Sequence, residues 1–161
     1  MANAPSDAIQ RLIDVVAQLR DPTTGCPWDL EQTHASLVPY VLEEAHEVAD
    51  AIRQGSDAEM KEELGDLLLQ VVLHAQIALE QKRFDLDAIA DGISDKLIRR
   101  HPHVFGDAVA STSDEVRRSW EAIKLEEQAE ALAGSSSPLS DRLRTKVRGL
   151  PALAGAMTIS K

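Results

Sequence analysis

The stretch Glu43–Asp66, EEAHEVADAIRQGSDAEMKEELGD, constrains this chain more than any other part of it. It carries two acidic clusters, Glu43-Glu44-x-x-Glu47 and Glu62-Glu63-x-x-Asp66, on either side of Gly55-Ser56. Residues three or four apart on a helix are neighbours, so Glu44 lies beside Glu47 and Glu63 beside Asp66. Apolar residues at helical spacing flank both clusters: Val41, Leu42, Ala45, Val48 and Ile52 in the first, Met60, Leu64, Leu67, Leu68 and Val71 in the second. Two helices joined by a short turn pack antiparallel, which lets the clusters face one another across the seam. Carboxylates gathered at the edge of an apolar core repel one another unless a cation sits between them. Hard oxygen ligands favour magnesium, manganese or calcium.

Charge runs on helices are more often solvated faces, and that is the plain alternative. Two features weigh against it here. The i,i+3 carboxylate pairing recurs on two adjacent helices, and the basic residues close in sequence are chiefly Arg53 and Lys61. Gly65, inside the second cluster, costs about 1 kcal/mol of helix propensity relative to Ala. A glycine there suits the close approach of another backbone or a ligand.

With 161 residues the chain is long enough for one domain with a proper core and short for two. Aromatic residues make up only 3%, so the core is expected from Leu, Val, Ile and Ala, which suits packed helices. A net charge of −10 argues against nucleic acid and anionic membranes as partners, since phosphate neutralisation needs a basic surface. It is compatible with a small phosphorylated ligand that brings its own divalent cation. Cys26 is the single cysteine, which points to a reducing compartment, and MANAPSD shows no signal peptide. The expected location is cytoplasmic. The most apolar run, Leu67–Leu79, is interrupted by Gln70, His74 and Gln76, so no membrane span is predicted.

Along the chain, Ser6 is expected to cap a first helix with Ile9, Leu12, Ile13, Val16 and Leu19 as its buried stripe. Arg20–Gly25 reads as a turn and Cys26-Pro27-Trp28-Asp29 as irregular, with Trp28 either a core plug or a pocket wall. Ser36 or Thr33 caps the second helix, Pro39 sits in its first turn and Gly55 closes it. Ser56-x-x-Glu59 reads as a capping box opening a third helix to about Lys82, with a stripe of Leu64, Leu67, Leu68, Val71, Ala75 and Ala78. His46 and His74 lie on these helices at no zinc spacing and receive no role. Asp85 caps a fourth helix that stops at His101-Pro102 and ends in Lys96, Arg99 and Arg100. Those cations suit either the helix dipole or a phosphate clamp. Ser113 caps a fifth helix, on which Trp120 and Lys124 share a face. Residues 1–130 are read as the domain and 131–161 as a linker and C-terminal connector. The class is all-α.

The EExxE of Glu43, Glu44 and Glu47 followed by the ExxD of Glu63 and Asp66 resembles the signature of the MazG nucleoside triphosphate pyrophosphohydrolases. The resemblance runs from about Leu19 to Gln128 and resumes at Leu150–Leu153, through GCPWD, EELGDLLLQVVLHAQ and ISDKLIRRHPHVFGD. It is to the amino-terminal type of MazG domain; many members carry two such domains and this chain matches one. The resemblance implies a four-helix-bundle-like fold assembled as a homodimer or higher. It also implies hydrolysis of nucleoside triphosphates between the α and β phosphates, to monophosphate and pyrophosphate. Glu44, Glu47, Glu63 and Asp66 then correspond to ligands of Mg²⁺, or Mn²⁺ in its place, and Glu43 to the group that orients or deprotonates the attacking water. Lys96, Arg99, Arg100 and Lys124 correspond to phosphate contacts, Trp120 to a nucleotide contact, and Trp28 to a less securely placed one. The competing class is a non-catalytic or regulatory helical dimerisation domain that binds nucleotide or metal without turnover.

Overall fold

Capping chemistry sets most of the helix boundaries. The computed structural model describes residues 5–133, with side chains from 8 to 130, and every regular element among them is a helix. In chain order these are α1 (Pro5–Leu19), α2 (Pro27–Glu31), α3 (Val38–Gln54), α4 (Asp57–Glu80), α5 (Leu86–Arg100), α6 (Pro102–Phe105) and α7 (Ser113–Ala133). The chain divides into two compact units between Asp95 and Lys96, within α5. Of the expected linker and connector, only residues 131–133 are described, as the end of α7; the rest, with Leu150–Leu153, lies outside the described residues.

In the first unit, α4 packs against α3 and α1. Gly55 ends α3 in the left-handed conformation (φ 74°) and donates its N–H to the Ala51 carbonyl. Ser56 then opens α4, its Oγ accepting from the Glu59 N–H at 3.3 Å. The expected stop and start therefore both hold. Asp85 likewise caps α5, its Oδ1 accepting from the Ala88 N–H at 2.8 Å.

Other expectations are corrected. α1 already begins at Pro5, so Ser6 lies inside its first turn. Cys26–Asp29 is not irregular: Pro27 occupies the first position of the short helix α2. Neither Ser36 nor Thr33 caps α3, whose N-cap is Leu37 without a side-chain bond. Instead Thr33 and Ser36 close a turn just before it, each hydroxyl accepting from the other's backbone N–H at 2.9 and 3.1 Å. α7 is capped by Thr112 rather than Ser113. The Thr112 Oγ1 accepts from the Glu115 N–H, and the Glu115 carboxylate accepts from the N–H groups of Thr112 and Ser111. That is a capping box one residue earlier than expected.

The core consists of Val16 from α1, Leu37 from the α2–α3 connection, and Val72, Leu73 and Ile77 from α4, with Leu12, Ile13, Leu69 and Leu86 packed on it. The predicted α4 stripe is only partly buried: Ala75 and Ala78 are inside, while Leu64, Leu68 and Val71 are exposed. α4 is apolar on more than one side, so its periodicity does not select a single inward face. On α1, Val16 is buried, whereas Ile9 and Leu19 are exposed.

One buried cation ties these pieces together. Arg20, at the end of α1 and 8% exposed, donates Nε and Nη2 to the two carboxylate oxygens of Glu80 at 2.8 and 2.7 Å. Its Nη1 donates to the carbonyls of Asp29 and Gln32. One side chain thus joins α1, α2 and the far end of α4. The turn that follows needs Gly25, because a Cβ there would stand 2.5 Å from the carbonyl oxygens of Leu19 and Asp21.

Candidate metal centre

The α3–α4 hairpin sets the site. Glu44 and Asp66 each lie eleven residues from Gly55. At about 1.5 Å per residue, both stand roughly 16 Å from the turn on antiparallel helices, and so come level. Glu63, one turn from Asp66 on α4, joins them. Each of Glu44, Glu63 and Asp66 offers a carboxylate oxygen within 4.8 Å of the other two, and all three are half-buried. Opposed oxygens around a divalent ion at about 2.1–2.5 Å stand roughly 4–5 Å apart, so the spacing fits one.

The electrostatics are those of carboxylates without a counter-charge. Burial pushes the Glu44 carboxyl up, and the charges of Asp66, Glu47, Glu63 and Glu43 push it further. Glu63 is raised by burial and then by Glu47, Asp66 and Glu62. Among the described residues no Lys or Arg pairs with these groups. Arg53 binds Asp50 at 2.5 Å instead. An all-oxygen anionic donor set with raised proton affinity suits a hard divalent cation.

The structure brings together three of the four predicted ligands. Glu47 is exposed and outside the trio, yet its charge bears on both Glu44 and Glu63. Glu43 is exposed on the same helix and is the most weakly felt of the charges on Glu44. Among the described residues no backbone approaches Gly65: a Cβ there would meet nothing within 4 Å. Trp28 is 48% exposed and packs edge-on against Tyr40 at 5.8 Å, so it is not a core plug.

The second unit gathers most of the predicted phosphate contacts at the end of α5. Arg99 Nε donates to Glu127 Oε1 at 2.6 Å, and Arg100 donates Nε and Nη2 to Oε2 at 3.1 and 2.5 Å. The hydrogen bonds from Arg100 and Arg99 hold the Glu127 carboxyl down at about 2. Arg100 also lies over the Trp120 ring at 5.0 Å, and His101 meets the same ring edge-on. Lys124 only approaches Glu121, at 3.4 Å, and Lys96 pairs with no carboxylate among the described residues. Arg99 uses only Nε on Glu127 and its side chain is 54% exposed, so it can still receive an anion, whereas the Arg100 side chain is 11% exposed. Glu127 was not foreseen. Its spacing from Arg99 and Arg100, 28 and 27 residues, belongs to tertiary structure and leaves no local signal.

Residues 32–105 match the family model described as the MazG nucleotide pyrophosphohydrolase domain, a span that takes in Glu43, Glu44, Glu47, Glu63 and Asp66. Residues 32–105 therefore carry a MazG domain. An Escherichia coli K12 relative named nucleoside triphosphate pyrophosphohydrolase is 50% identical over 153 residues, 95% of this chain and 56% of its own length. A Thermotoga maritima relative named nucleoside triphosphate pyrophosphohydrolase/pyrophosphatase MazG is 48% identical over 119 residues, 74% of this chain and 45% of its own length. The chain thus spans about half the length of these curated MazG relatives. The crystal structure of a MazG-related protein from Thermotoga maritima superposes with a TM-score of 0.59 at 28% identity, over 71% of this chain and 97% of the other.

Proposed function

We propose that this MazG domain hydrolyses nucleoside triphosphates between the α and β phosphates, releasing nucleoside monophosphate and pyrophosphate. The observation that carries the reading is the trio Glu44, Glu63 and Asp66, brought to ion-binding distance with no Lys or Arg paired to it among the described residues. A divalent cation, Mg²⁺ or Mn²⁺, held by these three with Glu47 beside them, would supply charge neutralisation and Lewis acidity to a triphosphate bearing about four negative charges. Glu43 orients the attacking water and takes its proton. The water oxygen bonds to the α phosphorus as the bond to the bridging oxygen breaks, and that oxygen leaves with pyrophosphate. Lys96, Arg99, Arg100 and Lys124 contact phosphate oxygens, and Trp120 and Trp28 contact the nucleotide.

The same reading gives a four-helix-bundle-like assembly of two or more copies, and a cytoplasmic location. Exposed Leu64, Leu68, Val71 and Leu79 on α4, with Leu42 and Ile52 on α3, support the assembly. Among the described residues no helix is long and apolar enough to cross a membrane. The test is a panel of ribo- and deoxynucleoside triphosphates with and without Mg²⁺, all products resolved. Monophosphate and pyrophosphate formed only with the metal is the expected result; no turnover of any triphosphate would leave the non-catalytic alternative. Analytical ultracentrifugation checks the assembly, and a fully active monomer would refute it.

A further inference from the structure

About two turns beyond Asp66, α4 carries a second group of titratable side chains, which the metal centre does not use. His74 and His34 are both half-buried, and their Nδ1 atoms stand 2.7 Å apart. The rings are parallel to within 2°, with centroids at 5.0 Å. That separation equals the nitrogen gap plus one ring radius at each end. The rings are therefore coplanar and meet edge to edge, as an in-plane N–H···N bond requires. Arg83, just past α4, donates its Nη2–H to His34 Nε2.

We infer that His34 and His74 form an acid-opened latch fastening the α2–α3 connection onto α4. The proton positions follow from the donors. A guanidinium can only donate, so His34 Nε2 accepts and its proton sits on Nδ1. His34 Nδ1–H then donates to His74 Nδ1, which places the His74 proton on Nε2. Both rings are neutral in the closed latch. A proton added to His34 faces the Arg83 guanidinium. One added to His74 Nδ1 opposes an N–H unless His34 changes tautomer and Arg83 leaves. A second proton puts donors on both sides of the 2.7 Å gap and breaks the bond outright.

The surroundings reinforce this direction. Burial lowers the proton affinity of both rings, with Arg83 and then Arg20 adding to the effect on His34, and His34 adding to it on His74. The nearby carboxylate, Glu80, is bound by Arg20 and held below the usual range, so it stays ionised while the histidines titrate. No carboxylate bonds either ring among the described residues. A lasting metal site is disfavoured, because Arg83 occupies the outer nitrogen of His34. The latched segment holds Leu37, which is fully buried, and runs directly into α3, the helix that bears Glu44 and Glu47.

Long-range ¹H–¹⁵N NMR of the full chain at pH 8 tests the closed state: His34 should be the Nδ1–H tautomer and His74 the Nε2–H tautomer. Hydrogen exchange then tests the opening, read at Ser36, Leu37 and Val38, whose N–H groups bond within the connection. Protection factors there, measured against core amides of α4, should fall with decreasing pH below neutrality. The fall should be about tenfold per pH unit for one proton taken up and up to about a hundredfold for two. In His74→Gln, whose amide takes no proton, the slope should drop by at least about tenfold per unit. Protection that is independent of pH in the wild-type chain overturns the inference, as does the opposite tautomer at His34. The tautomer result decides the matter even if His74→Gln fails to fold.

Discussion

Replacing Arg20 by Met keeps most of the side chain's apolar stem and removes every polar contact it makes. Those contacts are a two-point pairing with Glu80 and hydrogen bonds to the Asp29 and Gln32 carbonyls. The Arg20 side chain is 6% exposed and that of Glu80 is 35% exposed. Breaking a buried ion pair from one side costs about 3–5 kcal/mol, mostly from the charge left behind. Here Glu80 can reach water, so the lower end applies to Arg20→Met, about 3 kcal/mol. In a domain of this size that lowers Tm by roughly 10 °C. Glu80→Gln leaves Arg20 with its two carbonyls and a new amide oxygen, and should cost less, about 1–2 kcal/mol. Urea unfolding followed by far-UV circular dichroism measures both. Arg20→Met within 0.5 kcal/mol or so of wild type, or a larger loss for Glu80→Gln, would refute the view that this cation joins α1, α2 and α4.

Asp66→Asn or Glu47→Gln should reduce Mg²⁺-dependent turnover by more than the roughly 10–100-fold typical of outer-shell changes. The apo protein should become slightly more stable, because a repelling charge is gone from Glu44 and Glu63; unchanged activity in either variant, or in EDTA, would end the metal-site reading. Glu127 has its folded pKa depressed from 4.5 to about 2. It therefore stabilises the fold above about pH 4.5 and loses that effect as pH falls toward 2, and Glu127→Gln should flatten acid unfolding in that window. Lys124→Ala should lower kcat/KM about tenfold or more while calorimetric Mg²⁺ binding stays nearly unchanged; a matching loss of metal affinity would count against a phosphate contact.

What could be read in advance was local. Gly55-Ser56 marks a left-handed stop followed by a capping serine, and that turn alone makes the acidic clusters meet. Thr112 was legible too: Glu115 lies three residues after it, and the capping-box rule selects it over Ser113. α2 was missed because Pro27 reads equally as a loop residue and as a first helical residue, and five residues give no periodicity. The inward face of α4 was misjudged because apolar residues surround the helix. Arg20–Glu80 and His34–His74 span sixty and forty residues. No spacing rule reaches so far, so Arg20 passed as a turn residue and His74 as one without a role. Glu47 shows the limit from the other side, since helical spacing groups it with Glu44 but does not decide which carboxylates turn inward.

The central claim is that water attacks the α phosphorus of a triphosphate at the Glu44, Glu63 and Asp66 centre. Hydrolysis in ¹⁸O-labelled water with Mg²⁺, products resolved by mass spectrometry, tests it most directly. The account predicts label in the nucleoside monophosphate and unlabelled pyrophosphate, with no turnover by Asp66→Asn. Nucleoside diphosphate with labelled orthophosphate would mean attack at the γ phosphorus and would contradict it.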